Sequence, residues 1–253
     1  MTDNDFFIGW AAKPPKPDRR FFMGAGLTLL AGTGGLGFAL ARHQNAVGPG
    51  TWDQGAVREW RGIATAEPYA LFRTKDLDGT PRTALLSCLG KCGVAARIGT
   101  LSGQPVVIKG SLIERGAHAM IAVSDGMDWI QADPAAETPD SELAFPPIEP
   151  LSSMTISGEI VDSKCWFGAM RPSEGKVHKS CAALCIRGGL PPALLVKDRK
   201  NQQALMILTD RGMAHGDALL PLVADPVEIT AQLFQSGNLL FLDAPVSAIR
   251  RLG

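Results

Sequence analysis

Cys165, His178, Cys181 and Cys185 stand in one stretch, CWFGAMRPSEGKVHKSCAALCIRGGLPP, which runs from Cys165 to Pro192. Three thiols and an imidazole are four borderline-to-soft donors, the number that closes a tetrahedral zinc site. Thiolates also suit copper(I), and Met170, Met213 and His215 would add to a copper-friendly neighbourhood. The order C-x12-H-x2-C-x3-C differs from standard zinc-finger spacing. His178 and Cys185 lie two helical turns apart, about 10 Å, so one ion can just be reached from both. A disulfide competes with the metal: in an oxidising compartment Cys165 can bond Cys181 or Cys185 and pin the segment down. Thiol–disulfide exchange is a third chemistry, with His178 and Lys179 lowering the pKa of a neighbouring thiol. The chain has five cysteines, so at least one is left free or metal-bound. Cys88 and Cys92, four residues apart, read as structural, either paired or buried in a core. His118 reads as a structural residue of a strand.

No other chemistry is signalled. The sequence has no C-x-x-C, no C-x-x-C-H, no Gly-rich phosphate loop, no G-x-S-x-G and no H-E-x-x-H, so no catalytic residue is named. Lys and Arg number 25 against 25 Asp and Glu, and there is one tyrosine. A neutral chain poor in aromatic residues offers little general attraction to nucleic acid.

These residues need elements to hold them. Pro172 and Ser173, then Gly188-Gly189 and Pro191-Pro192, bracket a helix over 174–187 that puts His178, Cys181 and Cys185 on one face. Cys165 and Trp166 enter from the preceding loop, which Gly168 and Gly175 allow to fold back.

The surrounding chain repeats. PVVIKGSLIERGAHAMIAV (105–123) aligns without a gap to PVEITAQLFQSGNLLFLDA (226–244). Pro105 matches Pro226, Val106 matches Val227, Ile108 matches Ile229, Leu112 matches Leu233 and Gly116 matches Gly237. Each reads as two alternating strands around a glycine turn. Upstream, PYALFRTKDLDGTPRTALL resembles PALLVKDRKNQQALMIL, and WRGIATAEP resembles ISGEIVDSK. The element order β-β-β-α-β-β resembles that of the OB-fold, a five-stranded Greek-key barrel. The expected class is therefore mainly β, with two tandem OB-like barrels over 55–131 and 154–253. The Pro-rich acidic segment 132–153 reads as a semi-extended linker that can pack along the seam through Leu143, Phe145 and Ile148. Where the first copy passes between strands through a short TAEP, the second inserts 164–190, and the Cys/His cluster lies in that insertion.

The second copy also resembles uncharacterised secreted or membrane-anchored bacterial proteins with a pattern GEIVD…C…HK…CA…C…GG.PP. Here it reads Gly158 to Asp162, Cys165, His178-Lys179, Cys181-Ala182, Cys185, Gly188-Gly189 and Pro191-Pro192. The resemblance carries no assigned activity.

From Phe21 to Ala41 no residue is charged, about the length of a membrane-spanning helix. Lys13, Lys16, Arg19 and Arg20 precede it, which by the positive-inside rule puts residues 1–20 in the cytoplasm and the barrels in the periplasm. Asp18 to Met23 also resembles a twin-arginine export signal, with Ala39-Leu40-Ala41 as a cleavage site. The reading favoured is an uncleaved single-pass anchor in a bacterial inner membrane. The expected function is then that of a periplasmic accessory protein, its insertion stiffened by zinc, copper or a disulfide, docking on a membrane redox complex. A thiol- or metal-dependent redox enzyme and an oligonucleotide-binding OB protein are the alternatives.

Overall fold

The computed structural model describes residues 16, 19–21, 23–25, 48–126, 128–135, 141–199 and 202–252. The chain divides into two units, Met1–Asn45 and Ala46–Gly253, and both barrels lie in the second. Phe21 and residues 23–25 are helical, and the rest of the expected span lies outside the described residues. Among the described residues no helix is long and apolar enough to cross a membrane.

The first barrel begins with β1 (Thr51–Trp52), then β2 (Arg58–Thr65), β3 (Leu71–Lys75) and β4 (Pro81–Ser87). A short helix, α1 (Ala95–Ile98), and a 3-10 turn lead to β5 (Pro105–Arg115), β6 (His118–Val123) and β7 (Ile130–Ala132). Strands β2, β3 and β4 form an antiparallel meander; β4 lies parallel to β6, β6 antiparallel to β5, and β5 returns to β2. This closes a five-stranded barrel, to which β1 and β7 add as short partners of β5.

The second barrel repeats the scheme. It consists of β8 (Glu149–Asp162), β9 (Pro192–Lys197), β10 (Gln203–Thr209), β11 (Pro226–Ser236) and β12 (Leu239–Asp243), with β13 (Ile249–Arg251) added to β11. Its parallel pair, β10 with β12, corresponds to β4 with β6. Two closed five-stranded barrels with this order are compatible with tandem OB-like domains.

The repeat is kept residue by residue. Val106, Ile108 and Leu112 point into one barrel and Val227, Ile229 and Leu233 into the other, all buried. Gly62 lies opposite Val106, and Gly158 opposite Val227. Both glycines are required by a close approach: a Cβ on Gly62 would stand 2.1 Å from the Arg73 carbonyl oxygen, and one on Gly158 2.5 Å from that of Leu195.

The linker is shorter than the sequence suggests. Strand β8 starts at Glu149, inside the Pro-rich segment, because residues 149–155 pair along the far half of β11 with a bulge at Leu233/Phe234. Phe145 packs on the shared core, but Ile148 is exposed.

The barrels meet through an apolar seam. Tyr69, Leu85, Ile113 and Met120 of the first cluster with Leu195, Leu205, Ile207 and Phe241 of the second, and Trp166 and Phe167 of the insertion join them. Polar clips fix the register. The Asn238 side chain accepts from the Thr83 N–H at 2.8 Å and donates to the Thr83 carbonyl at 2.9 Å. Tyr69 Oη donates to the Leu208 carbonyl at 2.7 Å.

Candidate metal centre

The insertion leaves β8 at Asp162 and returns at Pro192. A kinked helical turn, Cys165–Ala169, is followed by a 3-10 turn, Lys176–His178, and by the helix α2, Lys179–Arg187. The expected helix start at Glu174 is too early. Gly175 has φ 78° and its N–H bonds the Glu159 carboxylate, so the chain is turning there and becomes α-helical only at Lys179.

The opening turn is wedged between the barrels. Trp166 and Phe167 are fully buried, and burial on that scale contributes about 2–3 kcal/mol per side chain. The Arg115 guanidinium lies 4.3 Å from the Trp166 ring centroid and donates to its carbonyl. His118 stacks on Phe167 with centroids 5.4 Å apart, as a structural partner of the wedge. This wedge sets where Cys165 stands.

Cys165 is the hub of the cluster. Ligand atoms of Cys165, His178 and Cys181 lie within 4.8 Å of one another, and so do those of Asp162, Cys165 and Cys185. The two groups share only Cys165: His178 and Cys181 gather on one side of it, Cys185 with Asp162 on the other, and these Cys/His groups could hold a metal ion. Sγ of Cys165 and Sγ of Cys181 are 3.9 Å apart, and the three cysteines carry no disulfide. Two sulfurs each ~2.3 Å from one tetrahedral ion stand ~3.8 Å apart, whereas a disulfide needs ~2.05 Å. The separation is that of two thiols in hydrogen-bond contact and is also close to that of two sulfurs on one ion.

Asp162 organises the set and was not singled out in the sequence. Its Oδ1 accepts the Cys165 N–H at 2.8 Å, and its Oδ2 meets His178 Nε2 at 2.9 Å. The carboxylate thereby fixes the ring and leaves Nδ1 as its free nitrogen, the arrangement by which outer carboxylates orient metal-binding histidines. The available signal was the i, i+3 spacing of an Asp to a Cys at the end of a strand, a local capping pattern.

The loop between Cys88 and Cys92 covers the cluster. These two cysteines form a disulfide, with Cα atoms 5.4 Å apart. Lys164 is buried and donates to the carbonyls of Cys88, Leu89 and Gly90 at 2.6, 2.9 and 2.8 Å. Lys91, from the same loop, donates to Cys181 Sγ at 3.1 Å. The loop also requires Gly188, the first residue after α2: a Cβ there would stand 2.0 Å from the Lys91 carbonyl oxygen, and Gly93 N–H bonds the Gly188 carbonyl. In the sequence the Gly-Gly pair signals only the end of a helix.

Charge follows from these contacts. A hydrogen bond with Cys185, and then burial, push the Cys165 thiol up. Burial pulls Lys164 down to about 8, against the nearby thiols and Asp162, which favour its charge. The bond to Cys181 raises Lys91. A bound cation would reverse the balance at Cys165, since coordination deprotonates a thiol outright.

Met170 belongs to this neighbourhood, its Sδ 3.6 Å from Cys181 Sγ. Met213 and His215 do not. Met213 pairs with Asp210 in a turn, and His215 N–H bonds Tyr69 Oη, because both lie on the loop between β10 and β11. No protein-family model, curated protein or solved structure matches the chain.

Proposed function

We propose that this chain is a metal-binding accessory protein of the bacterial cell envelope. Residues 21–41 anchor it in the inner membrane with the N-terminus cytoplasmic, and the two barrels stand in the periplasm. The insertion holds one soft ion, zinc or copper(I), through Cys165, His178, Cys181 and Cys185. The stiffened insertion and the seam around it form the surface that docks on a membrane redox complex. One observation carries the reading: the sulfurs of Cys165 and Cys181 and the His178 imidazole lie within 4.8 Å of one another, with Asp162 positioning the imidazole and Cys185 on the other side of Cys165. Metal analysis of the purified full chain and of Cys165→Ala tests the site. Proximity crosslinking in membranes tests the docking, which fails if no membrane-complex subunit is captured with wild type and lost on deletion of 164–190.

A thiol–disulfide exchange reading has one observation in its favour: half-buried Cys181 lies beside Lys91 and 3.9 Å from Cys165. It requires that oxidation close a Cys165–Cys181 bond and that dithiol reopen it with turnover. Oligonucleotide binding has less support. On β3 and β4, the second and third strands of the barrel and the ones on which OB-folds take nucleic acid, Lys75 pairs with Glu142 and Arg82 with Asp76 and Glu114. Paired bases have little charge to offer a phosphate backbone.

A further inference from the structure

One corner of the cluster reaches the surface. Cys165, Cys185, His178 and Asp162 are buried, while Cys181 is half-buried and Met170 is 42% exposed. Cys181 and Leu184 are three residues apart on α2 and so share one side of it, and Val177 lies on the 3-10 turn that leads into the helix. Val177 is 83% exposed and Leu184 50%. Cys181 therefore stands in the middle of an exposed apolar strip, with the Met170 thioether against it. Two apolar side chains open to solvent beside an accessible thiol and thioether give a partner something to pack on.

The rim of that strip is basic. Within 164–190 the exposed bases are Arg171, Lys176 and Arg187, since Lys164 is buried and Lys179 pairs with Asp225 at 3.0 Å, and Glu174 is the one acid of the segment. Glu174 is neutralised by Lys197 at 2.6 Å. Lys91 adds a further exposed cation, contributed by the disulfide loop. A thioether is a poor zinc ligand, whereas thiolate and thioether together select copper(I).

We propose that this corner is a copper(I) transfer port, at which an acidic protein partner docks on the Val177–Leu184 strip and exchanges the ion through Cys181 and Met170. The inference rests on the reading of the insertion as a soft-metal site and adds the partner's chemistry and the direction of access. In the exchange a bond from copper to a partner sulfur breaks as one to Cys181 Sγ forms. The Cys181 thiol proton passes to solvent water, the metal stays copper(I), and no electron moves. Met170 takes the ion first at the surface, and Cys165 draws it inward.

The test loads the full chain with copper(I) under anaerobic reducing conditions and follows its removal by an anionic chelator, bathocuproine disulfonate, and by an uncharged chelator. The expected rate rises linearly with chelator concentration, and the anionic chelator is faster at low salt, an advantage that high salt erases. Met170→Leu leaves one copper per chain but slows exchange about tenfold, the lower end of what losing a neighbour of a metal ligand does to a site. Lys91→Gln with Arg187→Gln removes the preference for the anionic chelator. Release independent of chelator concentration, or unchanged in Met170→Leu, overturns the port while leaving the metal site standing. Failure of the wild-type chain to take up copper while it binds zinc overturns the port alone, and failure to take up either ion overturns both. A dimer by sedimentation that Val177→Ser with Leu184→Ser abolishes would give the strip to a second copy and overturn the acidic partner.

Discussion

Asp162 and His178 meet at 2.9 Å with neither side chain open to solvent. The carboxylate cannot be satisfied by water there, so its two oxygens are committed to the imidazole and to the Cys165 amide. The last residue of β8 thus fixes two of the four proposed ligands at once. Asp162→Asn should lower metal affinity about 10- to 100-fold, while His178→Ala abolishes four-ligand binding. Competition against a chromophoric chelator measures both. An Asn variant with wild-type affinity would remove Asp162 from the site.

Lys164 bridges the barrels as a buried cation. Replacing it by Met leaves the carbonyls of Cys88, Leu89 and Gly90 without their donor, a change worth about 2–3 kcal/mol of unfolding free energy. Urea unfolding of the oxidised chain checks it. A loss under about 0.5 kcal/mol, the size of an ordinary surface substitution, would show that the cap contributes nothing.

Gly188 should tolerate no side chain. A Cβ there meets the Lys91 carbonyl oxygen at 2.0 Å, and both partners are backbone. Gly188→Ala should separate the disulfide loop from α2, lower the melting temperature by several degrees and weaken metal binding. Gly216→Ala is the control, since nothing lies within 4 Å of its Cβ position. Equal melting temperatures for the two variants would contradict the close approach.

His118 gives the fold a pH dependence. Burial, and then the nearby Arg115 charge, pull its pKa from 6.5 to about 4. Between those values the unfolded chain binds a proton that the folded chain refuses. Stability from this group is therefore complete above the unfolded pKa and is lost as pH falls toward 4, by up to about 3 kcal/mol. Unfolding free energies at about pH 7 and about pH 5 should differ more in wild type than in His118→Gln. Equal slopes would show that His118 does not titrate on unfolding.

The strands were legible because alternation and glycine turns are local signals. The gap-free match of 105–123 to 226–244 carried over into equal strands, β5 and β11, with the same residues facing inward. The insertion was legible as what remained when that register was kept. What joins it to the first barrel was not. Lys164 and its three carbonyl partners are separated by 74 to 76 residues, and no pattern in either segment announces the other. Asp162 was hidden for a related reason: at the end of a strand it reads as a boundary residue, and its value appears only once His178 folds back over it. Met170 was placed correctly near the cysteines, but Met213 and His215 were grouped with it by residue type, without a register to carry them there.

The central claim is that the insertion holds one metal ion on Cys165, His178, Cys181 and Cys185. The most direct test is elemental analysis of the full chain, paired with a count of reactive thiols before and after chelation. The account expects about one soft ion per chain, three thiols shielded until the ion is removed, and loss of the ion in Cys165→Ala and His178→Ala. No metal, together with a Cys165–Cys181 or Cys165–Cys185 disulfide, would contradict it.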